Sequence, residues 1–286
     1  MADYLLHSMA EFKPIFEQAL QYKKPKKIVE IGTEYAGSSK VLLDYAVQNN
    51  AHVYLIDPYP YVNLEQELKK YQGYFTHIAQ LSLEALKDLV EIDFFFIDGD
   101  HNYYTVSNEL ALIYSKNPSV WTFLHDVAWP CDFRDMYYNP ATLSTTDIHE
   151  YTYQDGVDKN NHIVKNGGFH GAGKFAWAKK YGGERNGVKK AIEDFLKDNA
   201  QYSYNQMNAV MGLGLITPKD EKALSDILFT PYQNQLIESM EKNRIELYIK
   251  VLELQHHLDI KNREQNNNRL FRIARKLSKI MNYKPF

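Results

Sequence analysis

The sequence is poor in the features that cross-link a chain or anchor it in a membrane. Its 286 residues include one cysteine, Cys131, which excludes an internal disulfide and a zinc site built from several thiolates. No run approaches the roughly 18 consecutive apolar residues of a membrane-spanning helix. The first residues, MADYLLHSMAEF, lack a basic stretch ahead of an apolar one. We therefore expect a cytoplasmic protein in a reducing compartment.

The net charge of the chain is small, but the charged residues are distributed unevenly along it. The whole chain has a net charge of −3, whereas residues 269–286 carry six cationic side chains and no acid, which leaves −9 for residues 1–268. An acidic body repels phosphate backbones, and a nucleic-acid enzyme more often has a basic surface beside its active site. We therefore predict no nucleic-acid partner, and the basic tail requires a separate explanation.

Short apolar runs alternate with helical stretches from Lys26 to about Met207. Runs that are apolar on both faces are typical of parallel strands covered by helices on both sides. We predict five such strands and a final antiparallel pair, at residues 27–31, 52–56, 74–78, 93–97, 121–125, 202–207 and 210–216. The fold class is therefore α/β, with a doubly wound, mostly parallel seven-stranded sheet.

A long segment, residues 127–186, interrupts this alternation. It is rich in Tyr, Asn, Gly and Asp, and a connection of this length inside a domain is normally functional or disordered. Because its aromatic content argues against disorder, we interpret it as a lid over the acceptor. Helical character resumes at Val188, with Asn186 as a candidate cap. We assign residues 1–230, including the lid, to one α/β domain.

Residues 231–286 form a helical extension with two patterns. A 3-4 spacing predicts a short coiled coil, which either joins two chains through residues 236–258 or lies on the body of the same chain. The apolar residues of that spacing are Ile237, Met240, Leu247, Val251, Leu254 and Leu258. The polar run KNREQNNN then predicts a break before a last helix with one apolar and one basic face. That basic face either contacts an anionic membrane surface through residues 269–286 or docks on the acidic body.

The loop VEIGTEYAGSS follows the first predicted strand. Gly32 and Gly37 allow a tight turn and a close approach of the backbone to a ligand before a helix that begins near Ser38. The spacing G-x-x-x-x-G differs from the dinucleotide fingerprint, and no Lys-Ser or Lys-Thr follows as in a phosphate-binding loop. Glu30 and Glu34 would repel a pyrophosphate, whereas they suit a ligand that carries an ammonium and a sulfonium. The loop therefore favours S-adenosylmethionine.

A carboxylate, Asp57, ends the second predicted strand about 20 residues beyond the glycine loop. At the carboxyl edge of the adjacent strand it can accept hydrogen bonds from both ribose hydroxyls. With these motifs, residues 26–126 resemble class I S-adenosylmethionine-dependent methyltransferases. Within that class they are similar to the branch of macrolide and rhamnose O-methyltransferases and cephalosporin hydroxylase-like proteins.

The resemblance implies a set of cofactor-binding residues. The first-strand acid and the glycine loop hold the methionine part of the cofactor, and Asp57 holds the ribose. The family often has Gly-Asp-Ser near the adenine, where this chain has AQLS, so that only the serine is carried over. The full set is Glu30, Gly32, Thr33, Glu34, Gly37, Ser38, Asp57, Ser82 and Asp98.

The string FFFIDGDHNYYTVSNEL places acids and a histidine at the end of the fourth predicted strand, and His125 and Asp126 end the fifth. The ends of neighbouring parallel strands meet above the ligand crevice. Methyl transfer to a hydroxyl requires loss of its proton, and His101 suits the role of general base because an imidazole titrates near working pH. In metal-dependent relatives the ligands correspond to Asp98, His125 and Asp126, which implies Mg²⁺ or, with an imidazole present, Mn²⁺.

Three functions remain open at this point. The first is O-methyl transfer to a small molecule or glycan, since a polar and aromatic lid fits a sugar hydroxyl, in the synthesis of a bacterial surface polysaccharide or a glycosylated metabolite. The second is a hydroxylase-like protein that binds the cofactor without methyl transfer. The third is a scaffolding protein that acts through its C-terminal helices. If residues 269–286 contact an anionic membrane surface, the protein is expected at the inner face of the membrane.

Overall fold

The computed structural model describes residues 7–281, with side chains described for residues 7–266. A seven-stranded sheet forms its centre. The sheet strands are β1 (Lys27–Ile31), β2 (His52–Ile56), β3 (Phe75–Ile78), β4 (Phe94–Ile97), β5 (Trp121–His125), β11 (Tyr202–Met207) and β12 (Leu213–Pro218), and β6–β10 belong to the segment described below. The strand order is β11-β12-β5-β4-β1-β2-β3, and β12 pairs antiparallel with both of its neighbours.

The predicted α/β fold class is confirmed, and the strand bounds agree closely with the predicted ones. The largest difference lies in β12, which begins at Leu213 instead of residue 210. Val210 and Met211 adopt positive φ angles of 51° and 63°, and Gly212 follows with 94°. Three successive residues with positive φ form a turn and leave the extended conformation to the residues after them.

Helices cover both faces of the sheet, as a doubly wound fold requires. They are α1 (Lys13–Lys23), α2 (Gly37–Asn49), α3 (Leu64–Glu67), α4 (Ser82–Ala85), α5 (Tyr103–Lys116), α6 (Val188–Asp198) and α7 (Lys222–Phe229). One buried apolar core includes residues of α1, α2 and α7, and the other includes residues of α5 and α6. Phe94 and Phe96 on β4 contribute to the first core and Phe95 to the second, because successive side chains of a strand point to opposite faces.

The predicted lid, residues 127–186, contains two small sheets. Its strands are β6 (Met136–Tyr137), β7 (Tyr151–Thr152), β8 (Gly156–Val157), β9 (Ile163–Val164) and β10 (Ala176–Ala178), which pair as β6-β10-β7 and β8-β9. Trp177 and Val157 are fully buried in the core beneath α5 and α6. The predicted cap at Asn186 is wrong: Gly187 caps α6, and the Asn186 side chain instead accepts a hydrogen bond from the Asp135 amide.

One long helix, α8 (Gln235–Met281), follows the sheet domain. The predicted break at KNREQNNN is wrong, because the helix passes through that run without interruption. The run contains neither proline nor glycine, so it ends the apolar pattern without ending the helix. The predicted opposition of apolar and basic faces after residue 268 concerns side chains that lie outside the described residues.

The first half of α8 packs against the body of the same chain. Ile245 and Ile249 are buried beside Trp129 and Met211, and Met211 donates its amide hydrogen to Glu241 over 3.1 Å. The predicted coiled-coil residues from Met240 onward lie on another side of the helix and are exposed. Within residues 7–281, no helix combines the length and the hydrophobicity that crossing a bilayer demands.

Candidate active site

The glycine loop turns sharply between β1 and α2. Gly32 has a φ of 84°, Ala36 occupies the left-handed region at 60°, and α2 begins at Gly37. A Cβ atom on Gly32 would lie 2.1 Å from the carbonyl oxygen of Asp98. The turn is therefore as predicted. Glycine is needed at position 32 because the loop approaches the end of β4, which is a different reason from the predicted approach of a ligand.

Asp57 ties the glycine loop to the end of β2. Its Oδ2 accepts hydrogen bonds from the amide and the hydroxyl of Thr33, each over 2.9 Å. Its Oδ1 accepts one hydrogen bond, from the Tyr59 amide over 2.9 Å. A carboxylate oxygen has two lone pairs, so Oδ1 retains an acceptor position for a ribose hydroxyl.

Glu30 lies beneath the loop instead of on its surface. Its carboxylate is fully buried and accepts a hydrogen bond from the Ser39 hydroxyl. Burial raises the pKa of Glu30 to about 7, although the hydroxyls of Ser38 and Ser39 oppose the shift. In this arrangement the Glu30 side chain supports the start of α2, and its contact with the cofactor stays a prediction.

The other predicted cofactor-binding residues occupy the same edge of the sheet. Thr33 and Ser38 are buried within the loop, and the half-buried Glu34 lies 3.6 Å from the ring of His7. Ser82 begins α4 directly after the loop that follows β3. Asp98 follows β4 and remains half-buried. The fold therefore gathers these residues at the carboxyl ends of β1 to β4.

Three acid and histidine side chains form a cluster at the ends of β4 and β5. One oxygen or nitrogen atom from each of Asp98, His101 and Asp126 lies within 4.8 Å of the others. The Nδ1 atom of His101 is 3.3 Å from Oδ2 of Asp126, and both side chains are about nine-tenths buried. Asp126 adopts a φ of 56°, a conformation that is uncommon for a residue other than glycine and that often marks functional sites.

His125 is buried beneath this cluster and bonded at both ring nitrogens. Its Nδ1 donates to Oδ1 of Asp98 over 2.9 Å, and its Nε2 donates to the carbonyl oxygen of Val210 over 2.8 Å. Neither partner carries a hydrogen to give, so both nitrogens are protonated and the ring is an imidazolium. Burial opposes this charge, but the carboxylates of Asp98 and Asp126 outweigh it and raise the pKa of His125 to about 10.

The prediction that His125 is a metal ligand is therefore wrong. A ring whose two nitrogens both carry hydrogen has no lone pair for a metal ion. Burial also opposes ionisation of Asp98, but the charge of His125 outweighs this effect and lowers the Asp98 pKa. The residues that fit a divalent ion are instead Asp98 and Asp126, together with His101. Two carboxylates and an imidazole suit Mn²⁺ better than Mg²⁺.

Aromatic side chains from three distant segments surround the cluster. The ring of Tyr138, from the predicted lid, lies 5.9 Å from the ring of His101. On α8, Tyr248 lies 5.4 Å from Phe169 and 6.5 Å from His7, measured between ring centroids. Burial raises the pKa of Tyr248, and the nearby carboxylates of Asp126 and Glu34 add to the effect while Arg244 opposes it. Residues of the predicted lid, of α8 and of the start of the chain therefore lie near the cluster at the edge of the sheet where the ligand crevice is expected.

Sequence reasoning missed the contribution of α8 to this site. A second set of residues on the helix, Glu241, Ile245, Tyr248 and Ile249, faces the body. Their spacing of three and four residues was present in the sequence beside the heptad pattern. Two patterned faces on one helix allow two partners, whereas the heptad face alone predicts either a second chain or the body of the same chain.

Comparisons with known proteins give a family match and similar solved structures. Residues 29–127 match the methyltransferase domain family. The fold is similar to an SAH-bound methyltransferase of Podospora anserina, with 16% identity, a TM-score of 0.47 and coverage of 77% of this chain and 83% of that chain. An O-methyltransferase of Bacillus cereus in complex with SAH is 14% identical, with a TM-score of 0.44 and coverage of 74% and 83%.

A third similar structure is the O-methyltransferase TomG of Streptomyces achromogenes in complex with SAM, which is involved in tomaymycin synthesis. It is 13% identical, with a TM-score of 0.43 and coverage of 74% of this chain and 80% of that chain. No curated protein matches the sequence significantly. The family match identifies residues 29–127 as a methyltransferase domain, and the doubly wound sheet carries these residues.

Proposed function

We propose that the protein is an O-methyltransferase that transfers a methyl group from S-adenosylmethionine to a hydroxyl of a sugar or glycan, with His101 as the general base. The observation that carries the proposal is the pairing of His101 with Asp126 at the ends of β4 and β5, on the edge of the sheet where the glycine loop lies. The acceptor follows from the polar and aromatic surroundings, which resemble a sugar site more than an apolar one.

Each residue of the cluster has a distinct part in this proposal. Asp126 faces Nδ1 of His101, which leaves Nε2 to take the proton of the acceptor hydroxyl. The carboxylate then stabilises the imidazolium that forms, and His125 holds Asp98 in position. When bound, the cofactor supplies an electrophilic methyl group on a sulfonium. The carboxylates of Glu34, Asp98 and Asp126 give the crevice an acidic lining that suits this positive charge.

Metal assistance is a further part of the proposal. With His101 acting as base, Asp98 and Asp126 are the side chains that would hold a divalent ion. Such an ion supplies positive charge that lowers the pKa of a bound hydroxyl. Removal of divalent ions with a chelator is then expected to lower the rate, and addition of Mg²⁺ or Mn²⁺ is expected to restore it.

The test uses a labelled methyl donor with a panel of sugars and oligosaccharides. We expect His101→Ala to lower kcat by about 10²- to 10⁴-fold, the usual contribution of a general base, while calorimetry shows unchanged binding of S-adenosylmethionine. His52→Ala, on the opposite edge of the sheet, is the matched control and should keep full activity. Binding of the cofactor without label transfer to any acceptor would support the hydroxylase-like alternative, and absence of cofactor binding would support a scaffolding role.

The basic segment also suggests where in the cell the enzyme acts. Residues 269–286, with six cations, would bring the enzyme to an anionic membrane surface on the cytoplasmic side, where lipid-linked glycans are accessible. This favours a surface polysaccharide over a free metabolite as the acceptor.

A further inference from the structure

Helix α8 presents an apolar stripe that no residue of the described chain covers. The stripe consists of side chains that are between 45% and 63% exposed, although all are large and apolar. Its members are Met240, Leu247, Val251, Leu254 and Leu258. Their successive separations of seven, four, three and four residues follow a heptad, which is the spacing that selects another helix as the partner.

This stripe is separate from the side of α8 that contacts the body. With about 100° of rotation per residue, Ile245 and Ile249 lie about 100° and 140° around the helix from position 244, which is on the stripe. Those two side chains are 7% and 9% exposed and pack beside Trp129 and Met211. The body contacts therefore hold the helix in place and direct the stripe away from the domain.

Arg244 is the one charged residue at a heptad position between Met240 and Leu258. Its guanidinium is bonded to Glu241 at two points, Nε to Oε2 over 2.6 Å and Nη2 to Oε1 over 2.7 Å. Glu241 is itself buried on the side that faces the body, where it accepts the Met211 amide. The charge of Arg244 is thereby paired, and its head group is held toward the body instead of across the stripe.

We propose that the stripe from Met240 to Leu258 pairs with the same stripe of a second copy of this chain. Residues 235–260 contain five acids and three bases, so an anionic membrane would repel this part of the helix. Identical heptad surfaces satisfy each other in a symmetric dimer. Short coiled coils are limited by the entropy of ordering their helices, and here the packing of α8 on the body has already ordered the first half.

The test measures the mass of the full-length protein by light scattering over a range of micromolar concentrations. The expected mass is twice the 33.4 kDa of one chain. Leu247→Glu/Leu254→Glu, at two positions that are each 63% exposed, should shift the mass to that of one chain. The matched control is Ile227→Glu/Ile260→Glu, which places the same charges on exposed apolar residues off the stripe and should remain at twice the chain mass.

Circular dichroism establishes that each variant is folded, and Leu247→Ala/Leu254→Ala provides a second disruption that preserves helix propensity. A mass of one chain for the unmodified protein over the whole range would overturn the proposal. So would a dimer that survives both changes on the stripe. Binding of a monomer to vesicles of neutral phosphatidylcholine that is lost on Leu247→Glu/Leu254→Glu would overturn it in favour of a lipid partner.

Discussion

Adjacent residues at the end of β5 make different contacts because the backbone turns between them. His125 still belongs to the strand and is buried, where it bonds to Asp98 and to the carbonyl of Val210. Asp126, with its φ of 56°, leaves the strand and faces His101. The string HD gives two candidate ligands but does not show this turn, which is why the family resemblance implies that both bind the metal.

Gly32 provides a stability test at the residue scale. An alanine there would have to adopt a φ of 84° and place its Cβ 2.1 Å from the Asp98 carbonyl. Gly73→Ala is the matched change, because Gly73 has a φ of 90° and open space around its Cβ position. We expect Gly73→Ala to lower the free energy of unfolding by about 1–2 kcal/mol, the cost of left-handed backbone alone. Gly32→Ala should cost about 1–3 kcal/mol more, the cost of a forced contact.

Denaturant unfolding monitored by circular dichroism measures both values. Equal losses for the two variants would show that the loop can move away from β4 without penalty. In that case the close approach of the loop to Asp98 would have no part in stabilising the site.

At the scale of elements, α8 contributes Tyr248 to the surroundings of the candidate active site in addition to forming the C-terminal extension. Glu246 pairs with Lys159 over 2.8 Å, and Glu253 accepts the Gly168 amide over 3.4 Å. Both partners lie in the segment 127–186. These two contacts therefore join the predicted lid to the part of α8 that contains Tyr248.

Replacement of Tyr248 tests this relation. Tyr248→Ala removes a ring that contacts Phe169 and His7 at the edge of the crevice. We expect KM for the acceptor to rise about tenfold, or about 1.4 kcal/mol, with little change in the affinity for S-adenosylmethionine. Tyr22→Ala, an exposed tyrosine on α1, is the control. An unchanged KM together with unchanged kcat would place α8 outside the acceptor site.

The sheet was predictable because its strands are short runs that are apolar on both faces, and that signal is local. Strands β6 to β10 have two or three residues each and form by pairing with residues far away in the sequence. Segments this short show no periodic pattern of apolar residues from which a strand could be predicted. The cluster of Asp98, His101 and Asp126 followed from the rule that strand ends meet at one edge. The position of Tyr248 beside this cluster could not be predicted in the same way. It depends on how α8, about 120 residues later in the chain, packs against the body.

At the scale of the whole molecule, charge is divided between an acidic body and a basic end. We expect the full-length protein to sediment with vesicles that contain anionic lipid, with weaker binding as salt increases. Replacement of Arg272, Arg275 and Lys276 by glutamine should weaken binding by about 1 kcal/mol per charge, or roughly two orders of magnitude in Kd. The same change at Lys24, Lys69 and Lys165, exposed lysines of the body, is the control. Binding that persists without the three tail cations would contradict a role for the tail.

The continuity of α8 fixes a distance. From Tyr248 beside the crevice to residue 275 near the basic end, an unbroken helix extends about 40 Å, at about 1.5 Å per residue. A break at the polar run would have allowed this distance to vary, whereas a single helix keeps it constant. Under the proposed function, a surface bound by the basic end would lie at a set distance from the acceptor hydroxyl, so a glycan attached to that surface would be methylated at a preferred chain length.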